Sequence, residues 1–215
     1  MQLQSPDTLD TVVYNRLKTM ISTNELKAGE LLVQNRLTKM LGVSRTPLRK
    51  ALAQLEKEGL LAGSPKGWYV KEFTVDDMVS VFEIRAVLEG LACRLAAERM
   101  TAADISYCRT LFDEAYEAYR DGKTEAYYHA DVEFHALLIA KAKDAILEQT
   151  IRQTQVLVKS QLQGLYRNPH ETIHEHRRIL DALADRNGNL AESLMREHIQ
   201  RAIPLLRSGT YELYR

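Results

Sequence analysis

Apolar residues recur at helical spacing three times in the first third of the chain. The first run predicts a helix over residues 11–22, and the second predicts a short helix over residues 34–41. A third run begins after Gly42, where Ser44 suits the capping position of a helix and Pro47 suits its first turn. The apolar positions that carry these predictions are Val12, Val13, Leu17, Ile21, Leu37, Met40, Leu41, Leu48, Leu52 and Leu55.

Two short strands are predicted after the third helix. Residues 60–62 and 67–71 are largely apolar, and the Gly-Ser-Pro-Lys run over residues 63–66 is typical of a turn. Three helices followed by such a hairpin predict a winged helix-turn-helix. Lys66 at the wing tip is then placed to contact a phosphate or a minor groove.

The third helix has a basic face. Arg45 and Arg49 are four residues apart, so they project from one side of the helix, away from its leucines. A helix that buries leucines and exposes arginines near its N-terminus can enter the major groove of DNA.

Beyond Phe73 glycine and proline become rare, and every segment has a helical period. We therefore predict a mainly α protein in which residues 1–73 form a winged helix-turn-helix and residues 74–215 form an antiparallel six-helix bundle. On the first bundle helix the apolar stripe is read as Val81, Ile84, Leu88, Leu91 and Leu95. The six helices are predicted over residues 74–99, 101–122, 124–143, 144–166, 168–187 and 189–207.

Charge is unevenly divided although the chain as a whole is neutral. Residues 1–73 contain 11 Lys and Arg against 7 Asp and Glu, whereas the remainder contains 18 against 22. A basic first part suits a polyanion partner. Two cysteines within helical patterns suit a reducing compartment, and no signal peptide or membrane-spanning run is visible, so we expect a cytoplasmic protein.

Four polar residues of the bundle are expected to face inward. Asp131 and His135 lie four residues apart on one face of the third bundle helix, while His176 and His198 fall on the apolar stripes of the fifth and sixth. Burying four ionisable groups without partners is costly. A divalent metal removes that cost, because three imidazoles and a carboxylate suit zinc or a neighbouring transition metal. From the residues alone, hydrogen-bonded core histidines are an equally open interpretation.

The first part of the chain resembles the DNA-binding domain of GntR-family transcription regulators. The resemblance covers roughly residues 10–72 and is carried by Gly29, Leu32, Leu37, the run GVSRTPLRKAL, Glu58-Gly59-Leu60 and Gly67. It implies that Arg45, Thr46 and Arg49 contact DNA in the groove, and that Ser44 contacts phosphate. It also implies that Gly67 lets the wing approach the backbone. Some family members carry a DNA-contacting arginine where this chain has Asn35, and the neighbouring Arg36 is a candidate substitute.

The second part resembles the FCD ligand-binding domain of the FadR subgroup, in its shorter six-helix form, over roughly residues 75–207. The motifs are Glu83-x-Arg85-x-x-Leu88-Glu89, Asp131-x-x-x-His135, Glu175-His176-x-x-Ile179-Leu180-x-Ala182-Leu183 and Met195-Arg196-x-His198. In metal-binding members these positions supply one Asp and three His, so the resemblance implies that Asp131, His135, His176 and His198 hold the ion. Zinc is the first expectation, with nickel, manganese and iron as alternatives.

The effector pocket is the least determined part of the prediction. Arg85 either forms an ion pair with Glu89 one turn later or forks onto an effector carboxylate. The resemblance favours the pocket. Further residues could line it without any pattern that selects among them: Tyr127, Tyr128, Gln155 and Tyr166.

The sequence thus predicts a homodimeric transcription regulator that binds a two-fold operator in double-stranded DNA and is controlled by a small organic acid. Two other classes remain as alternatives. One is a metal-dependent enzyme with an attached DNA-binding head. The other is a nucleoid-type protein that binds DNA without sequence preference.

Overall fold

The computed structural model describes residues 9–154 and 167–209. The described residues divide into two compact units, the first containing residues 9–74 together with 153–154 and the second containing residues 75–152 and 167–209. The fold is mainly helical, with a helix-turn-helix and a β-hairpin wing in the first unit and helices in the second, which confirms the predicted fold class. None of the helices in the described ranges combines the length and apolar character needed to cross a membrane.

The first unit contains three helices and a hairpin. The helices are α1 (Leu9–Ser22), α2 (Gln34–Leu41) and α3 (Arg45–Lys57), and the strands are β1 (Leu61–Ser64) and β2 (Gly67–Val70). The two strands pair antiparallel, from Leu61 opposite Val70 to Ser64 opposite Gly67.

The wing turn is tighter than the sequence predicts. Ser64 still pairs with Gly67, so only Pro65 and Lys66 lie between the strands, rather than the four residues 63–66. Gly67 has a φ of +126°, which a residue with a side chain rarely adopts, and this angle allows the chain to reverse within two residues.

The core of the first unit is leucine-rich. Leu17, Leu48, Leu52 and Leu55 are all fully buried, as the helical spacing predicts. Between α2 and α3, Gly42 adopts the left-handed conformation with φ 66° and ends α2. The buried stripe of α3 leaves its opposite face in solvent.

Seven helices form the described part of the second unit. They are α4 (Val75–Ala97), α5 (Ala102–Arg120), α6 (Thr124–Ala142), α7 (Ala145–Thr154), α8 (Pro169–Ala184), α9 (Gly188–Gln200) and α10 (Ala202–Ser208). Helix α4 packs against α6, α8, α9 and α10. The predicted helix over residues 144–166 is described only as far as Thr154, and its second half lies outside the described residues.

Two predicted features of the helical unit are wrong. The single helix predicted over residues 189–207 is two helices that meet at Arg201, because Pro204 has no N–H to donate to the carbonyl four residues earlier. The predicted apolar stripe of α4 is misplaced, since Ile84 is 45% exposed. The buried face of α4 instead carries Phe82, Ala86, Glu89 and Cys93 among its residues.

Candidate metal centre and nucleic-acid interface

Four residues that could hold a metal ion meet inside the second unit. Asp131 and His135 project from α6, His176 from α8 and His198 from α9. One candidate ligand atom from each of the four lies within 4.8 Å of the others. The three histidines are buried, and Asp131 is partly exposed. The sequence-predicted ligand set is therefore brought together in space.

Each imidazole of the cluster uses its Nδ1 for a partner outside the cluster. Such bonds fix the orientation of a ring and leave Nε2 for the centre of the cluster. The pairs are His135 with Glu89, His176 with the Tyr127 hydroxyl at 3.0 Å, and His198 with Glu175 Oε2 at 2.7 Å.

The ring nitrogens that remain are arranged as metal ligands would be. His135 Nε2 and His176 Nε2 are buried and make no hydrogen bond to the described residues. They lie 3.8 Å and 3.1 Å from Asp131 Oδ1. A buried polar atom without a partner is costly, and a divalent metal accepts lone pairs from both nitrogens and from the carboxylate. The residues present therefore fit a metal ion, and the identity of that ion is open.

Ion pairing determines the charge of the outer carboxylates. Burial alone would raise the pKa of Glu89, but the charges of Arg85 and His135 outweigh it and hold the pKa at about 2. Burial likewise opposes ionisation of Glu175, yet hydrogen bonds from His198 and Arg167 hold its pKa below the usual range. Both side chains are thus carboxylates that accept hydrogen bonds from imidazole N–H groups.

The histidines differ in their basicity. Burial lowers the pKa of His176 to about 4, and burial also lowers the pKa of His198. Burial would lower the pKa of His135 as well, but the charges of Glu89 and Asp131 reverse the direction and raise it. A neutral His176 is the form that binds a metal.

A cavity of about 50 Å³, which opens to solvent, adjoins the cluster. Arg85, Asp131 and His135 line it, and so do Tyr127 and Tyr128. Of the four residues predicted as further candidates for the pocket wall, Gln155 and Tyr166 lie outside the described residues.

Arg85 forms the predicted ion pair and also lines the cavity, and its contact with an effector stays a prediction. Its Nε lies 2.6 Å from Glu89 Oε1, which is the ion pair expected at four-residue spacing, and its side chain also lines the cavity. The positioning roles of Glu175 and Arg167 were not predicted. Glu175 immediately precedes His176 in the sequence, but only the packing of α8 against α9 brings its carboxylate to His198.

The face of α3 that carries the predicted DNA contacts is solvent-exposed. Ser44 precedes the helix without a side-chain capping bond, and Arg45, Thr46 and Arg49 are all exposed. Lys66 is exposed at the wing tip beside Gly67.

Two hydrogen bonds orient side chains near this face. Arg45 Nη2 donates to Asn35 Oδ1 over 2.9 Å, a link that the sequence did not indicate. Arg36 pairs with Glu30 over 3.2 Å, so its guanidinium is oriented by a carboxylate of the same unit.

Family comparisons agree with the two-part architecture. Residues 9–70 match the family described as bacterial regulatory proteins, gntR family, and residues 80–201 match the FCD domain. The protein therefore belongs to the GntR family of transcriptional regulators, with an N-terminal GntR helix-turn-helix and a C-terminal FCD domain of the FadR subgroup.

Individual relatives are regulators along their whole length. The chain is 30% identical to the HTH-type transcriptional regulator LutR of Bacillus subtilis, over 90% of this chain and 98% of LutR. It is 28% identical to the HTH-type transcriptional regulator McbR of Escherichia coli, over 90% of each chain. These relatives are transcriptional regulators rather than enzymes, so the protein is a DNA-binding regulator and the enzyme alternative is rejected.

Solved structures show the same fold. The structure described as E. coli McbR/YncC has a TM-score of 0.81 at 28% identity and covers 95% of this chain and 99% of its own. A GntR regulator from Rhodococcus sp. RHA1 has a TM-score of 0.73 at 21% identity, over 96% of this chain and 99% of its own.

Proposed function

We propose that this regulator binds its operator as a homodimer and that a small organic acid, bound at a metal in the helical unit, controls its affinity for DNA. The observation that carries the proposal is the pair of buried Nε2 atoms of His135 and His176, which make no hydrogen bond to the described residues and face Asp131 beside an open cavity. A cavity with a cation at its wall suits an anionic ligand.

The metal in this proposal is held by Asp131, His135, His176 and His198. Zinc fits three imidazoles and one carboxylate, and nickel, manganese and iron accept the same donors. When bound, the ion supplies positive charge and coordination positions that a carboxylate can occupy. Glu89 and Glu175 keep the imidazoles oriented for it.

Arg85 is the second proposed contact of the effector. Its side chain is 13% exposed, is held by Glu89 and lines the same cavity as Asp131. A guanidinium can form two parallel N–H···O bonds with a carboxylate, which is the geometry proposed for the effector.

DNA recognition is assigned to the exposed face of α3 and to the wing. Arg45, Thr46 and Arg49 read base edges in the major groove in this proposal, while Ser44 contacts phosphate. A single short helix contacts few bases, so a homodimer on a two-fold operator doubles the contacts. Arg36 and Lys66 are proposed as further basic contacts to DNA, and Gly67 is proposed to let the wing approach the DNA backbone.

Effector control requires a difference in effector affinity between DNA-bound and free protein. A coupling free energy of roughly 1–3 kcal/mol would change operator affinity about 5- to 150-fold. The experiment below decides whether the effector raises or lowers the affinity for the operator.

The test begins with genomic DNA from the source organism. Purified protein, dialysed against zinc, should select a small set of fragments that survive a large excess of random DNA. The affinity for one such fragment should then change when one member of a panel of small organic acids is added. Chelation of the metal should abolish this change in affinity. Equal binding to selected and random DNA would favour the nucleoid-type alternative, and an acid response that survives complete metal removal would contradict the metal site.

A further inference from the structure

A hydrogen bond joins the first turns of the two helices that form the helix-turn-helix. Asn35 is the second residue of α2, Arg45 is the first residue of α3, and Arg45 Nη2 donates to Asn35 Oδ1 over 2.9 Å. Both residues are exposed. Among the described residues, Asn35 is the one hydrogen-bond partner of the Arg45 side chain. The orientation of this guanidinium therefore depends on a residue of the neighbouring helix.

Asn35 is itself fixed in position. Leu37, two residues later on α2, is buried in the core of the first unit. Thr38 Oγ1 donates to the Asn35 carbonyl oxygen over 3.1 Å, and the Val43 N–H donates to the Thr38 carbonyl oxygen in the turn that leads to α3. The hydrogen-bond acceptor of Arg45 thus stands on a packed helix and not on a mobile loop.

The chemistry of the two groups determines how they face each other. A guanidinium has only donors, so the Asn35 amide must turn its oxygen towards Arg45 and its NH2 group away. Arg45 Nη2 carries two hydrogens, one on each of two edges of the guanidinium plane. Whichever of them Asn35 accepts, the other edge still presents two parallel N–H groups. Two such donors match O6 and N7 of a guanine in the major groove.

The partner of Arg45 is neutral, which distinguishes this arginine from its neighbour on α2. Arg36 pairs with the Glu30 carboxylate over 3.2 Å, so its charge is compensated within the protein. The Asn35 amide orients Arg45 and leaves its positive charge uncompensated. A long side chain that is oriented before binding loses less rotamer freedom on binding, and an uncompensated charge still attracts the DNA backbone.

We infer that Asn35 is a positioning residue for base recognition, which holds the Arg45 guanidinium in one orientation without neutralising it and so determines the base preference where Arg45 contacts DNA. The inference rests on the proposed base-reading role of Arg45. It adds a residue of α2 that acts on the discrimination between DNA sequences and not on the general attraction to DNA.

The test uses the full-length protein and a library of randomised DNA duplexes, from which the parent selects its preferred sequence. Affinities for a selected duplex and for a random duplex are then measured for Asn35→Ala, Arg45→Ala and the double variant. Asn35→Ala should bind the selected duplex roughly 2- to 10-fold more weakly, as expected for loss of one hydrogen bond, and should bind random DNA like the parent. In the Arg45→Ala background, Asn35→Ala should have no further effect.

Two further variants sharpen the test. Asn15→Ala is the matched control, because Asn15 is an exposed asparagine on α1, and it should bind both duplexes like the parent. Asn35→Asp separates orientation from charge. A carboxylate still accepts from Arg45 but neutralises it, so this variant should bind both duplexes more weakly and with a shallower salt dependence. Undiminished binding of random DNA by Asn35→Asp would overturn the role assigned to the neutral amide.

The outcomes separate the inference from the proposed function. A parent protein that selects no sequence would overturn the proposed base recognition and the inference with it. Selection by the parent, together with an unchanged affinity and an unchanged selected sequence in Asn35→Ala, would overturn the inference alone. An equal loss from Asn35→Ala in the parent and Arg45→Ala backgrounds would show that Asn35 contacts DNA directly, which would also overturn its positioning role.

Discussion

Arg167 forms a bidentate ion pair with Glu175, in which Nη1 lies 2.6 Å from Oε2 and Nη2 lies 2.9 Å from Oε1. The same Oε2 lies 2.7 Å from His198 Nδ1. The Arg167 side chain is only 10% exposed, so this bidentate pair is shielded from solvent and holds the carboxylate in one orientation. One candidate metal ligand is thus oriented by a charge pair rather than by packing alone.

Glu175→Gln should weaken metal binding. The neutral amide no longer anchors Arg167 as a charge partner and is a poorer acceptor for His198, so zinc affinity should fall roughly 10- to 100-fold. A competition titration against a chromophoric chelator measures this. Glu171→Gln is the control, because Glu171 also pairs with Arg167 but its side chain is 63% exposed. Equal losses in both variants would show that the effect is not specific to the orientation of His198.

His176→Ala should lose the bound metal, whereas His174→Ala should retain it. His176 is fully buried in the cluster, while His174 is exposed two residues earlier on the same helix. Loss of a direct ligand should cost at least as much as loss of an outer partner, roughly 100-fold in affinity. Elemental analysis of both variants after dialysis against zinc provides the comparison. Retention of the ion in His176→Ala would remove this residue from the ligand set.

Arg45→Ala should weaken operator binding by roughly 1–3 kcal/mol and relax specificity at one base of each half-site. Arg45 is exposed on α3, and Asn35 orients its guanidinium. Fluorescence anisotropy on operator and on random DNA separates base reading from general charge attraction. Arg16→Ala removes the same charge from α1, where the side chain pairs with Glu25, and should change binding far less. A parallel loss on both DNAs would contradict base reading by Arg45.

The capping interaction at the start of α5 should depend on pH. Asp104 accepts from the Thr101 N–H and from Lys141, and the hydrogen bond from Lys141 is the main reason that its pKa falls from 3.8 to about 2. A depressed pKa stabilises the fold above the unfolded-state value, and this contribution is lost as the pH falls through the folded-state value. Asp104→Asn should therefore melt at a lower temperature than the parent at pH 7, and the gap should narrow below about pH 4.

The control for this pH dependence lies on the same helix. Asp113 pairs with Arg177 at an exposed site and caps nothing, so Asp113→Asn should melt close to the parent at every pH. Melting curves followed by circular dichroism between pH 7 and pH 3 test both variants. A gap for Asp104→Asn that stays constant across this range would contradict the assignment.

Helical periodicity predicted the burial of single residues well. On α8 the spacing of Ile173, Leu180 and Leu183 identified the buried stripe, and His176 on that stripe is indeed fully buried. The capping box formed by Thr101 and Asp104 is also a local feature, because it depends only on residues three apart. Sequence patterns are thus sufficient to predict interactions between residues that are close together along the chain.

Contacts between helices could not be predicted from the sequence. On α4 the periodicity pointed to Ile84, but the buried face carries Ala86 and Glu89. Small residues suit a closely packed helix, as a Cβ on Gly90 would lie 2.8 Å from Arg196 Cγ of α9. The pairing of Glu89 with His135 follows from how α4 packs against α6, which no spacing within one helix reveals.

The four candidate ligands come from three helices, α6, α8 and α9, and α7 lies between the first of these and the other two along the chain. An ion held there is a reversible cross-link, so it acts on the folding equilibrium as well as on ligand sensing. At a free metal concentration about 100 times the dissociation constant, such a link adds about 2.7 kcal/mol to the free energy of unfolding. Metal shortage would then shorten the lifetime of the regulator against proteases, and the amount of the protein would itself report metal supply.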